Sequence, residues 1–214
     1  MGAVTVAAMV NKPPQKPPVE NLRDIKKAEV KQQIVRSARE LGAQSGYDAT
    51  TVAQICQLAR VGTSTFFRYF PEKQSVFLAP EVELWHRYLE ELPAEASTME
   101  DLNTPLEHVL STAGEEWADD FAASLDLAAG SMTLAKHSFD HCVEMECTIL
   151  DRVVANGTRD SLVTHMRVGV FLASWRIAQS RWRGTDDRTI GSLVSIRREA
   201  FELVRHLGSD LHTG

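Results

Sequence analysis

The sequence predicts an all-α fold, with a three-helix helix-turn-helix unit at the N-terminus and a larger helical region behind it. Three observations predict it. From Lys26 onward, apolar residues recur at steps of three and four, as an amphipathic helix requires. No stretch alternates with period two for long enough to make a strand. Two short helical stretches meet at a three- or four-residue turn around Arg60-Val61-Gly62. The 214 residues, 43% of them apolar, are enough to bury a substantial core.

Residues 1–21 carry Lys12-Pro13-Pro14 and Lys16-Pro17-Pro18. Proline removes an amide donor and restricts its predecessor, so this stretch is expected to be a disordered arm. The first helix is expected over 25–45, with Ile34, Val35, Ala38 and Leu41 inward, and Lys31, Arg36 and Arg39 outward. Gly46 suits its C-terminal stop. Thr50 and Thr51 offer hydroxyls to cap a short second helix, 52–58, whose inner face is Val52, Ile55, Cys56 and Ala59. A third helix spans 63–70, and Pro71 is expected to open a fourth. Val61, Phe66 and Phe70 have the spacing to pin the third helix down. Thr63, Ser64, Phe67 and Arg68 are left projecting, with Tyr69 at the edge. Small hydroxyls at that end can approach base edges, and Arg68, Tyr69 and Lys73 can meet phosphates.

Charge divides along the same line. Residues 1–80 hold 11 Lys and Arg against 6 Asp and Glu, whereas residues 81–214 hold 12 against 23. The net charge of −6 therefore conceals a basic N-terminal third, which is what phosphate binding requires.

The series Gly46-Tyr47-Asp48-Ala49-Thr50-Thr51-Val52, then Ile55, Val61 and Thr65-Phe66-Phe67-Arg68-Tyr69-Phe70-Pro71-Glu72-Lys73, resembles the DNA-binding domain of the TetR family. The resemblance covers about 50 residues and implies a homeodomain-like head that reads a palindromic double-stranded DNA operator. It also implies a homodimer, with a C-terminal domain that dimerises and usually holds a small-molecule effector. On that pattern the DNA-binding set is Thr51, Arg60, Thr63, Ser64, Thr65, Phe67, Arg68, Tyr69 and Lys73. Four positions depart from it, one of them Gly62, where the turn commonly has Ser. Arg60 stands where the turn commonly has Gly, so positive φ would cost on the order of 1 kcal/mol. Phe67 stands where many relatives have a phosphate-binding Tyr and is expected to pack on sugar or a thymine methyl. Cys56 replaces the usual Ala as a small buried residue. The implied domains are the arm 1–21, the head 22–75 and the helical body 76–214.

In the body, helices are expected at about 74–92, 104–120, 122–134, 137–155, 160–183 and 187–208. The last two carry apolar stripes: Leu162, Met166, Gly169, Ala173 and Ile177, then Leu193, Ile196, Ala200, Leu203 and Leu207. This seam matches the four-helix dimer interface that the resemblance implies. Trp85, Trp117, Phe121, Met132, Phe139, Met145 and Trp175 are candidates to line an effector cavity, although the same residues would also make an ordinary core. Residues 81–160 hold 4 Lys and Arg against 18 Asp and Glu, which leaves a cationic effector conceivable. His137 and His141 share one helical face, but two imidazoles do not make a metal site, and neither metal nor cofactor is expected.

Three cysteines form no disulfide framework, and no apolar run is long enough for a membrane span, so a cytoplasmic protein is expected. Nucleotide loops, nucleophile elbows and dinucleotide fingerprints are missing, which argues against an enzyme. The sequence points to a regulator, expected to be a repressor released by a small-molecule effector. A regulator controlled by a partner or by its own abundance is the alternative.

Overall fold

The computed structural model describes residues 22–210, with side chains as far as 206. The arm expected over 1–21 and the side chain of Leu207 lie outside the described residues. Among those described there are ten helices and no strand: α1 (Leu22–Ala49), α2 (Val52–Ala59), α3 (Thr63–Tyr69), α4 (Lys73–Phe77), α5 (Ala79–Glu91), α6 (Met99–Ser111), α7 (Glu115–Gly130), α8 (Met132–Ala155), α9 (Leu162–Arg183) and α10 (Ile190–Asp210). None of them is long and apolar enough to cross a membrane.

Two clusters of buried side chains organise the chain. The first joins α1 to α4 around Ile34, Ile55, Phe66 and Phe77, and it also takes in Leu134 from α8. The second fills the body, where Leu84, Trp85 and Tyr88 of α5 meet Phe121 of α7 and Phe171, Trp175 and Trp182 of α9. The Phe121 ring stacks on Trp117, Trp175 and Trp182, with centroids 4.9, 5.9 and 6.0 Å away. Each such ring buries roughly 150–250 Å² when fully enclosed.

Several expected boundaries move. Gly46 does break α1, at φ 79° and ψ 166°, a conformation open to Gly and strained for other residues. Pro71, however, lies before α4, whose cap is Glu72. The single helix expected over 74–92 breaks at Leu78, where φ −94° and ψ 5° leave the helical region. The helix expected over 104–120 is two, α6 ending at Ser111 and α7 starting after Gly114. The expected breaks near 121 and 135 are replaced by one at Ser131, whose hydroxyl caps α8.

Candidate nucleic-acid interface

Local chemistry fixes α2 and α3. Thr51 forms a capping box: its hydroxyl accepts the Gln54 amide at 3.3 Å, and the Gln54 side-chain oxygen accepts the Thr51 amide at 2.8 Å. Ile55, Cys56 and Ala59 are buried beneath. Burial pushes the Cys56 thiol up, so it is a packed apolar group and not a reactive thiolate. Arg60 ends α2 in the left-handed region, φ 54° and ψ 41°, with its amide directed at the Cys56 and Gln57 carbonyls. Arg60 thus adopts the positive φ expected of a turn that commonly has Gly there, and carries the strain of it.

Phe66 and Phe70 are buried and anchor α3. On the opposite face Thr63, Ser64, Phe67 and Arg68 are exposed together, and Phe67 keeps 52% of its surface in water. Thr65 and Tyr69 are half-buried at the margin, and the Arg68 guanidinium lies 5.2 Å from the centre of the Tyr69 ring. Thr51 and Arg60 are exposed on the flanks. Lys73 does not project with them. Its ammonium donates to the Tyr47 and Thr50 carbonyls at 2.9 and 3.0 Å and sits 4.0 Å over the Tyr47 ring, closing the end of α1. The phosphate role expected of Lys73 gives way to this fastening, because its donors are turned toward the carbonyls that end α1.

The seven residues expected to line a cavity are not gathered around one. Trp85, Phe121, Met145 and Trp175 are packed core, and Trp117 is half-buried. Met132, 89% exposed, and Phe139, 54% exposed, open to solvent, since both lie on the outer face of α8. The interface stripe is also split. Leu162, Met166, Ile177 and Leu203 are exposed, and Gly169, Ala173, Ile196 and Ala200 are half-buried. Leu193 is wholly inside its own protomer's core and cannot face a partner. His141 approaches only Glu144, at 3.9 Å, and no group of three or more metal-ligating side chains converges among the described residues.

Sequence reasoning missed three buried charges, each beside exposed charged neighbours in a stretch that looks solvated. Glu81, 2% exposed at the start of α5, accepts from Ser138 Oγ at 3.1 Å and Cys142 Sγ at 3.7 Å. Burial pushes its carboxyl up to about 7. Asp120 of α7 pairs with Arg39 of α1 and lies within 3.4 Å of Gln32, tying the head to the body. Burial pushes Asp120 up, with the Arg39 charge opposing. Arg197 of α10 is the third.

Residues 34–79 match the family model of bacterial regulatory proteins, tetR family. The transcriptional regulator TcmR of Streptomyces glaucescens is 42% identical over 59 residues, which cover 28% of this chain and 26% of that protein. The transcriptional regulator HbdR of Aromatoleum sp. (strain CIB) is 28% identical over 110 residues, 51% of this chain and 44% of that protein. The chain thus matches less than half the length of either relative. The structure of Salmonella enterica GusR aligns over 83% of this chain and 96% of its own at 17% identity, with a TM-score of 0.49. The family match falls on the helices that carry this exposed face, from the second half of α1 to the first residue of α5, and over these residues the chain is similar to the bacterial regulatory proteins of the tetR family.

Proposed function

We propose that this chain is a homodimeric DNA-binding transcription regulator, a repressor that yields to a small-molecule effector. The single observation that carries the reading is the outer face of α3, where Thr63, Ser64, Phe67 and Arg68 stand together while Phe66 and Phe70 hold the helix down. In that geometry the hydroxyls read base edges and Arg68 meets phosphates, with Arg60 adding a cation beside them. A division into head, 22–75, and body, 76–214, is supported in outline by the two clusters of buried residues, although the head's cluster runs on to Ala79 and takes in Leu134. The dimer is supported by a groove of about 360 Å³ between α9 and α10, lined by Ile177, Ala178, Ile196, Ala200 and Leu203, and by Leu162 and Met166, exposed nearer the start of α9. Two copies would close that surface and set two heads about 34–36 Å apart, one turn of DNA. An effector that prefers a different spacing of the heads releases the operator, and by linkage the operator weakens the effector.

Selection of bound duplexes from a random pool, followed by fluorescence anisotropy, tests this. A palindromic motif is expected, with affinity falling steeply as salt rises. Thr63→Ala and Ser64→Ala are expected to alter base preference by about 1–3 kcal/mol per lost contact. Arg68→Ala is expected to weaken all sequences alike and to flatten the salt dependence. Failure to bind any duplex at low salt would end the proposal.

A further inference from the structure

The body contains a charge with no counterpart. Arg197 is 3% exposed, and none of its three guanidinium nitrogens has a hydrogen-bond partner. Its Cζ lies 5.5 Å from the centre of the Phe171 ring and 5.3 Å from that of Phe201. The Tyr88 ring stacks on Phe171 at 5.6 Å, and its hydroxyl is likewise buried and unpartnered. Three helices, α5, α9 and α10, therefore bring a guanidinium and a phenol to one aromatic site.

Guanidinium stays charged in proteins, and an unpaired charge in an apolar interior is strongly unfavourable. Burial pulls Arg197 down to about 10, with Tyr88 and Glu107 acting in the other direction. Glu107 does not discharge it, because its carboxylate is taken by Arg198 Nε at 3.1 Å. The Phe171 and Phe201 rings compensate in part, but a ring face cannot use the in-plane N–H fork. That fork matches a carboxylate in two parallel bonds, and the Tyr88 hydroxyl can supply a third donor.

We propose that the core between α5, α9 and α10 binds a small organic monoanion, its carboxylate received by Arg197 and Tyr88 and its apolar body laid against Phe171 and Phe201. The sign is opposite to the cationic effector that the acidic stretch 81–160 brings to mind. Apart from Glu81 and Asp120, both engaged by α8 or α1, that stretch is surface charge, while Arg197 is inside. The inference deepens the reading of the body as an effector sensor. Its test is run without DNA, so that failure here leaves operator binding standing.

The full chain is titrated with sodium benzoate, cinnamate and octanoate, and with the corresponding neutral amides, at constant ionic strength. Tryptophan fluorescence and thermal melting are followed, since Trp85 lies 6.4 Å from Phe171 and reports on the site. At least one carboxylate is expected to raise the melting temperature and to bind more than about tenfold better than its amide, the loss expected when a charge-assisted pair is replaced by a neutral one. Arg197→Met is expected to erase that preference and, with no ligand present, to melt above the parent, because an uncompensated charge has been removed. Arg197→Gln serves as a second variant with the same expectation for preference. Equal binding of acid and amide, no response to any of the three acids, or a carboxylate preference that survives in Arg197→Met would overturn the proposal. So would an Arg197→Met protein that folds but melts lower, since that result would make Arg197 a satisfied structural residue. Shifts produced equally by sodium phosphate would reduce the site to a general anion hole and refute the apolar part.

Discussion

Glu81 sits between an aromatic core and two polar side chains of α8, and its ionisation couples folding to pH. Burial moves its carboxyl from 4.5 to about 7 against the hydrogen bonds from Ser138 and Cys142. An acid whose pKa rises on folding favours the folded state most below its unfolded value, and that stability is lost as pH climbs through the folded one. The window here is pH 4.5 to 7, with a contribution on the order of 3 kcal/mol. Glu81→Gln is expected to flatten the melting temperature across this window and to exceed the parent above it. Melting curves across the window decide the matter, and an unchanged profile would refute it. At Arg60 the strain is in the backbone. Arg60→Gly is expected to stabilise the folded head by about 1 kcal/mol, since φ 54° suits glycine. The same substitution should lower the salt slope of DNA binding by about 1, as one phosphate-facing cation is lost. Urea titration and anisotropy separate the two effects.

Among the elements, α2 and α3 could be read from the sequence because a cap, a turn and two anchoring phenylalanines are all local signals. The breaks among α6, α7 and α8 could not be read so well. The run 104–120 holds enough apolar spacing to pass as one helix, and only Gly114 and the cap at Thr98 mark where α6 and α7 begin. At that cap the Thr98 hydroxyl accepts the Asp101 amide at 3.1 Å, and the Asp101 carboxylate accepts the Ser97 and Thr98 amides at 2.9 and 2.7 Å. The Ser97 bond leads in holding Asp101 below the usual carboxylate range. Thr98→Ala is expected to cost about 1 kcal/mol in thermal or urea unfolding. The aromatic residues of the body were visible, but their partners were not. Periodicity shows which face of a helix is apolar, and only the packed structure shows that Trp85 and Trp175 meet each other while Met132 and Phe139 meet water. The burial of Glu81, Asp120 and Arg197 was hidden for the same reason.

At the scale of the whole molecule, head and body share a joint. Arg39 and Gln32 reach Asp120, and close by α1 approaches α7 so tightly that a Cβ on Gly42 would meet Leu127 Cδ1 at 2.8 Å and Phe77 Cε1 at 3.0 Å. Gly42→Val is expected to lower stability by about 1–3 kcal/mol through overpacking. It should also weaken operator binding by tilting α1, which anisotropy would register; a variant that melts and binds as the parent does would show that the joint is slack. Leu134 has a further consequence. With Val76, Phe77, Leu78 and Ala79 it supplies the part of the head's buried cluster that lies beyond residue 75. A polypeptide cut at residue 75 would retain every side chain proposed to touch DNA and yet lack the floor on which they stand. The reading unit is thus not a detachable cassette, and transplanting it onto another protein would require the first turn of α8 to travel with it.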